Sequence, residues 1–186
     1  YKGQIALWLR YIDDIFLIWD MNDGDVSEFH DWLNTRCPDL KFTLSSDNKC
    51  INFLDLYVSV QDDVLVSSLF TKPTDRNTLL HFASCHPKTL RDNLTYGQFL
   101  CIRRNCTNRV DFFHNAEILM QKLISRGYPR KLVKHSMKRA WYTPRETLLV
   151  PKRKDDICPL TCVLTFSQKV QKIKRIISRH MGLLND

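Results

Sequence analysis

Two properties of the chain change together near residue 70, and any fold has to accommodate both. Up to Phe70 the apolar residues come in short extended runs with one helical interval; beyond Thr71 they recur mostly at helical spacing. Charge follows the same break, with 5 Lys/Arg against 12 Asp/Glu in residues 1–70 (a formal −7) and 23 against 8 in residues 71–186 (a formal +15). An acidic stretch with paired aspartates suits cation binding, whereas a strongly basic one suits a polyanion such as nucleic acid. The plainer alternative for the basic part is a solvated helical surface.

The acidic part is organised around Arg10-Tyr11-Ile12-Asp13-Asp14-Ile15-Phe16. Apolar runs Ile5–Leu9 and Ile15–Trp19 flank two adjacent carboxylates, the pattern of a β-hairpin with acids at its tip. At a turn both side chains can reach one ion, and hard Mg²⁺ takes one or two carboxylates plus waters and substrate phosphates. Asp is also a good turn former, so the tetrapeptide alone leaves both readings open. Asp20 to Gly24 is a turn signal. A helix follows, with Val26, Phe29, Leu33 and Cys37 in its stripe, Asp25 or Ser27 as cap and Pro38 beyond its end. Strands are expected at Phe42–Leu44, from about Ile51 to Val60, and from Val64 to Phe70. Asp55, inside the second of these, reads as an outward-facing strand residue or as an acid with a partner. The order strand, strand, helix, strand, strand, strand is that of an α+β domain.

Thr71 to Asn77 breaks the strand pattern. Pro87 suits the start of a short helix through Leu94, and Thr95 the cap of a second to about Cys106 with Phe99, Ile102 and Cys106 inward and Arg91, Arg103 and Arg104 outward. Asn108 with Asp111 caps a third whose stripe is Phe112, Ala116, Leu119 and Leu123, and Ser125-Arg126-Gly127 stops it. A fourth begins after Pro129, with Val133, Met137 and Ala140 inward and Arg130, Lys131, Lys134, Lys138 and Arg139 free. Short turns between such helices make a small bundle, or a helix-turn-helix cluster. Residues 142–160, with three prolines and Lys152-Arg153-Lys154-Asp155-Asp156, read as a linker. Cys162–Phe166 is strand-like, and a last helix capped by Ser167 carries the stripe Val170, Ile173, Ile177 and Met181 beside Lys169, Lys172, Lys174, Arg175 and Arg179.

Composition narrows the setting: no apolar run approaches the roughly 18 residues of a membrane span. Seven cysteines, without a Cys-x-x-Cys pair, indicate reduced thiols in an intracellular setting. The spacings Cys101/Cys106 and Cys158/Cys162 close no familiar tetrahedral zinc site.

Tyr11-Ile12-Asp13-Asp14 between apolar strands resembles the catalytic motif of reverse transcriptases. The ordered set around it resembles the reverse transcriptases of Penelope-like retroelements: Ile51-Asn52-Phe53-Leu54-Asp55-Leu56, Lys72-Pro73-Thr74-Asp75-Arg76-Asn77, Leu80-His81, His86-Pro87, Arg103-Arg104 and Arg126-Gly127-Tyr128-Pro129. The resemblance implies the C-terminal part of a polymerase palm in residues 1–70, a primer-grip loop and helical thumb in 71–141, and a basic linker with a C-terminal helix in 142–186. It implies two-metal nucleotidyl transfer with Asp13 and Asp14 as Mg²⁺ ligands, an RNA template with a DNA primer or an RNA/DNA hybrid as partner, and a nuclear location. Lys49 would face pyrophosphate or be an ordinary turn lysine. Lys72 and Arg76 would contact backbone phosphates, with Arg91, Arg103, Arg104, Lys134 and Lys138 along the thumb; a rigid loop held by an Asp75-Arg76 network is the alternative for the first two. The family also needs an earlier acid and a nucleotide-selecting motif, both upstream of Tyr1, so the chain is expected to be a fragment inactive alone. The competing expectation is a non-catalytic helix-turn-helix-like nucleic-acid-binding module at residues 87–141.

Overall fold

In the computed structural model, residues 3–20, 25–36, 39–76, 78–151, 167 and 170–180 are described. Residues 21–24 of the expected turn, Cys37, Pro38, Asn77, the 152–156 cluster, the strand expected at Cys162–Phe166, Lys169 and Met181 lie outside them. The chain divides into two compact units, Tyr1–Thr71 and Lys72–Asp186. It is a mixed helix-and-sheet structure with small antiparallel sheets and several helices, compatible with α+β.

In the first unit β1 (Ile5–Tyr11) pairs antiparallel with β2 (Asp14–Trp19), closing on the pair Tyr11 and Asp14. Asp25 Oδ1 accepts from the Ser27 amide (2.8 Å), capping α1 (Val26–Arg36). Phe29 on α1 is buried against Trp8 and Trp19, with ring centroids 6.3 and 5.3 Å away, so this helix covers one side of the hairpin. A second sheet has the order β3 (Cys50–Phe53), β4 (Leu56–Gln61), β5 (Val64–Leu69), and Phe53 meets Phe16 of the hairpin at 5.4 Å.

Two of the expected strands are placed differently. Phe42–Leu44 is not a strand: the Phe42 amide donates to Asn34 Oδ1 (2.8 Å), and the Phe42 carbonyl accepts from Asn34 Nδ2 (3.2 Å). Side chains of α1 thereby satisfy the groups a ladder would use. The run Ile51–Val60 is two strands. It folds back at Leu54-Asp55, where Leu54 takes φ 53°, and Phe53 pairs with Leu56. Asp55 is thus an exposed turn residue, and its carbonyl accepts from the Phe70 amide (2.8 Å).

Among its described residues the second unit is helical: α2 (Lys88–Asn105), α3 (Arg109–Ser125), α4 (Arg130–Trp141), α5 (Arg145–Leu149) and α6 (Val170–His180). Two helices were expected where α2 runs unbroken. Thr95 does not cap; it is fully buried, donates to the Asp92 carbonyl three residues back (2.9 Å), and meets Ser136 of α4 at 2.7 Å. Because the Thr95 proton goes to Asp92, Ser136 is the donor between the two hydroxyls. A hydroxyl with buried partners is compatible with a helix interior, whereas the capping role needs a free helix end. Phe99, Ile102, Cys106, Phe112, Ala116, Leu119, Leu123, Val133 and Ala140 complete the core. Asn108 accepts from the Asp111 amide (2.8 Å) at the start of α3. The expected linker carries α5, where Thr147 Oγ1 donates to the Pro144 carbonyl (2.7 Å) and Arg145 Nε donates to the Arg104 carbonyl (3.0 Å). In α6 the stripe residues Ile173 and Ile177 are 44% and 39% exposed.

Candidate functional site

The turn between α3 and α4 fixes the geometry of the second unit. Gly127 (φ 83°) donates to the Ile124 carbonyl (2.9 Å) and Tyr128 to that of Leu123 (3.1 Å), a Schellman closure that satisfies the last carbonyls of α3. Pro129 then starts α4 with its ring-fixed φ and no amide to satisfy. The loop before α2 is tied to this turn. Phe82 donates through its amide to the Arg126 carbonyl (2.9 Å), and its ring is 5.2 Å from the Arg91 guanidinium and 5.1 Å from the Tyr128 ring. Arg91 Nη1 donates to the Phe82 carbonyl (2.6 Å). Burial raises the Tyr128 hydroxyl above its ordinary value, nearby Arg91 opposing and Asp92 reinforcing the shift.

On α4 the exposed residues are Arg130, Lys131, Lys134, His135, Lys138 and Arg139. At 3.6 residues per turn they occupy roughly half of the circumference, opposite Val133, Ser136 and Ala140. The helix contains no Asp or Glu. Among the described residues Lys131, Lys134 and Lys138 form no ion pair. An exposed, unneutralised cationic arc is the electrostatic requirement for binding phosphates.

The other basic residues singled out in the sequence are distributed differently. Arg91 is half-buried in the Phe82 contact, and half-buried Arg103 stacks on Trp141 at 4.9 Å, so both guanidiniums engage the bundle itself. Arg104 is exposed, as are Lys72 and Arg76. Asp75 pairs with Lys122 of α3 (2.6 Å), which ties the Lys72–Arg76 segment to the bundle. Lys49 is an exposed turn residue whose amide donates to Asp47 Oδ1 (2.7 Å). The periodicity of α4 exposes its basic arc in the sequence; the inward turn of Arg91 and Arg103 rests on ring partners far along the chain, which no local spacing reveals.

Asp13 and Asp14 are both exposed, Asp13 in the two-residue turn and Asp14 as the first residue of β2. Ile12 beside them is 71% exposed with φ 54°, a left-handed backbone that a β-branched residue strongly disfavours. The Arg10 Nε donates to the Ile12 carbonyl (2.7 Å) and helps hold this turn. Two exposed carboxylates fit the hard-oxygen preference of Mg²⁺. Among the described residues no three His, Cys, Asp or Glu side chains gather as a metal group.

Residues 78–138 match the family model of the animal helix-turn-helix domain. The match runs from the loop clamped by Arg91 through α2, α3 and the glycine turn to Lys138 of α4. No curated protein and no solved structure matches the chain. No helix among the described residues is long and apolar enough to cross a membrane.

Proposed function

We propose that the helix-turn-helix region binds nucleic acid through backbone phosphates, with α4 as the contacting helix. The observation that carries this reading is the acid-free cationic arc Arg130, Lys131, Lys134 and Lys138 on a helix set by the α3–α4 turn. Lysines deliver point charges to phosphates and little base discrimination, so affinity should depend on salt far more than on sequence. Fluorescence anisotropy with labelled oligonucleotides tests it. Lys134→Glu with Lys138→Glu should weaken binding and lower the slope of log affinity against log salt by about 1.4–1.8, the loss of two phosphate contacts. An unchanged slope would refute the assignment.

A second reading, favoured by the strained Ile12 turn, is that the chain derives from an RNA-directed DNA polymerase of the Penelope-like type. Left-handed backbone at a non-glycine residue beside paired carboxylates is the kind of strain that persists at functional sites. In this reading Asp13 and Asp14 hold Mg²⁺, the first unit is a piece of the palm and the second its thumb, nucleic-acid partners being template and primer. The bound ion would supply charge stabilisation at phosphate oxygens; the hairpin's own part is to hold two carboxylates at one exposed tip. Titration of Mg²⁺ followed by amide NMR shifts tests this: changes should centre on Ile12 to Asp14 and vanish in Asp13→Asn. Shifts spread over all acidic turns alike would remove the ground for a specific site.

A further inference from the structure

Resting on the nucleic-acid reading of α4, we propose that Tyr142 is a stacking platform for an unpaired base, so that the ligand of this surface is a single strand. Tyr142 lies beyond the matched helix-turn-helix region and closes α4 in αR conformation (φ −76°, ψ −6°), so the helical projection continues through it. It falls in the same stripe as Lys131, His135 and Lys138, one turn past Lys138. The residue is 71% exposed.

Its two neighbours are both fixed. Trp141 packs against Phe112 (5.1 Å) and Phe113 (4.9 Å), with the Arg103 guanidinium over its ring at 4.9 Å. On the other side Thr143 Oγ1 donates to the Arg139 carbonyl (3.1 Å) and lies 3.3 Å from the Tyr96 hydroxyl, while the Arg139 guanidinium covers the Tyr96 ring at 4.0 Å. An aromatic ring is thus displayed to solvent from a backbone anchored on either side. Little backbone ordering entropy remains to be lost when a flat ligand covers it.

The charge pattern selects the ligand. Lys134, Lys138 and Tyr142 follow one another at about 6 Å along the axis, from a rise of 1.5 Å per residue. Cations followed by an aromatic face along one stripe are the two components of single-strand recognition: charge for the backbone, a ring for a base of any identity. A blunt duplex keeps its bases stacked inside and offers the ring nothing but its end.

The test compares the whole chain with its Tyr142→Ala and Tyr142→Phe variants on oligo(dT), oligo(U) and a blunt duplex at fixed salt. Tyr142→Ala should weaken binding to the single strands by about 5- to 150-fold, the value of one base–aromatic stack, with the salt slope intact. Tyr142→Phe should bind as the unmodified chain does, and the duplex should be indifferent to either change. Loss on oligo(dT) alone or on oligo(U) alone would identify the favoured strand chemistry, sugar or base methyl, and still support the platform. Equal affinity of Tyr142→Ala and the unmodified chain for single strands, or equal loss on strands and duplex, would overturn it. Insensitivity to Lys134→Glu with Lys138→Glu would instead overturn the underlying phosphate reading. If Tyr142→Ala melts early, Tyr142→Leu carries the same comparison, because it keeps apolar area and lacks a flat face.

Discussion

The buried hydroxyl pair between α2 and α4 allows a quantitative test of how the bundle is held. Thr95 and Ser136 are 0% and 4% exposed, their oxygens 2.7 Å apart, and the Thr95 proton is committed to the Asp92 carbonyl. Thr95→Val keeps the shape and strands the Ser136 hydroxyl, which costs about 1–3 kcal/mol for an unsatisfied buried group. The lower part of that range is expected, because a helical serine can turn back to the carbonyl four residues earlier. Ser136→Ala removes a donor and loses about 0.5–1.5 kcal/mol. It regains about 0.5 kcal/mol because alanine is the better helix former. The double variant leaves no polar group stranded, so its cost should fall below the sum of the single costs by about 1 kcal/mol, worth roughly 3–6 °C for a unit whose size falls between domains of about 60–100 and about 150–250 residues. Thermal melts of the four proteins followed by helical circular dichroism close the cycle. Strict additivity would mean that the two hydroxyls do not exchange a hydrogen bond in the folded bundle.

Three further outcomes follow from the backbone and the turns. Gly127→Ala should destabilise the second unit by about 1–2 kcal/mol from left-handed strain alone, because a Cβ there would meet the His81 ring at an ordinary 3.5 Å; no change in melting would refute the positive φ. Ile12→Asn should raise the stability of the hairpin unit by about 1 kcal/mol, since asparagine tolerates the left-handed region and the isoleucine is 71% exposed; hydrogen exchange of β1 and β2 reads it, and faster exchange would count against the strain. Asp47 accepts from the Cys50 and Lys49 amides, which hold its carboxyl below its ordinary value. Its contribution is therefore fully present at neutral pH and is lost as pH falls through that lowered value, so the Lys49 and Cys50 amide shifts should titrate there in the native chain and not in Asp47→Asn.

What the sequence disclosed depended on whether the deciding interaction was local. The stripe Phe112, Ala116, Leu119 and Leu123, the Asn108 cap and the Gly127 stop all act within a few residues of themselves, and the structure has them where periodicity and capping rules put them. The continuity of α2 was not legible, because the partner that makes buried Thr95 acceptable is 41 residues away on Ser136. The loss of the Phe42 strand has the same origin in Asn34. The reversal at Leu54-Asp55 was hidden for another reason: the residue that takes φ 53° is Leu54, neither glycine nor asparagine, so the apolar run concealed it. Asp62-Asp63, where both residues have positive φ, carries the turn chemistry openly and lies in the gap between the expected strands that end at Val60 and start at Val64.

The same distinction sorts the cations that make the chain basic. Arg91, Arg103, Arg109 and Arg139 each have a guanidinium within 6 Å of an aromatic ring of the bundle. A planar, weakly hydrated guanidinium gains from such a surface, whereas a compact ammonium keeps its water and stays outside. The exposed arc of α4 is accordingly richest in lysine along Lys131, Lys134 and Lys138. Arginine supplies the bidentate fork that reads guanine edges and pairs with phosphates in fixed geometry; lysine supplies charge without that fork. With Arg91 and Arg103 half-buried against bundle rings and Arg139 laid over Tyr96, a phosphate-binding surface of the kind proposed would have few guanidinium forks with which to select a base pair. Under the proposal, discrimination would then rest on whether a base is free to leave its stack, the property that the exposed Tyr142 at the end of α4 would register.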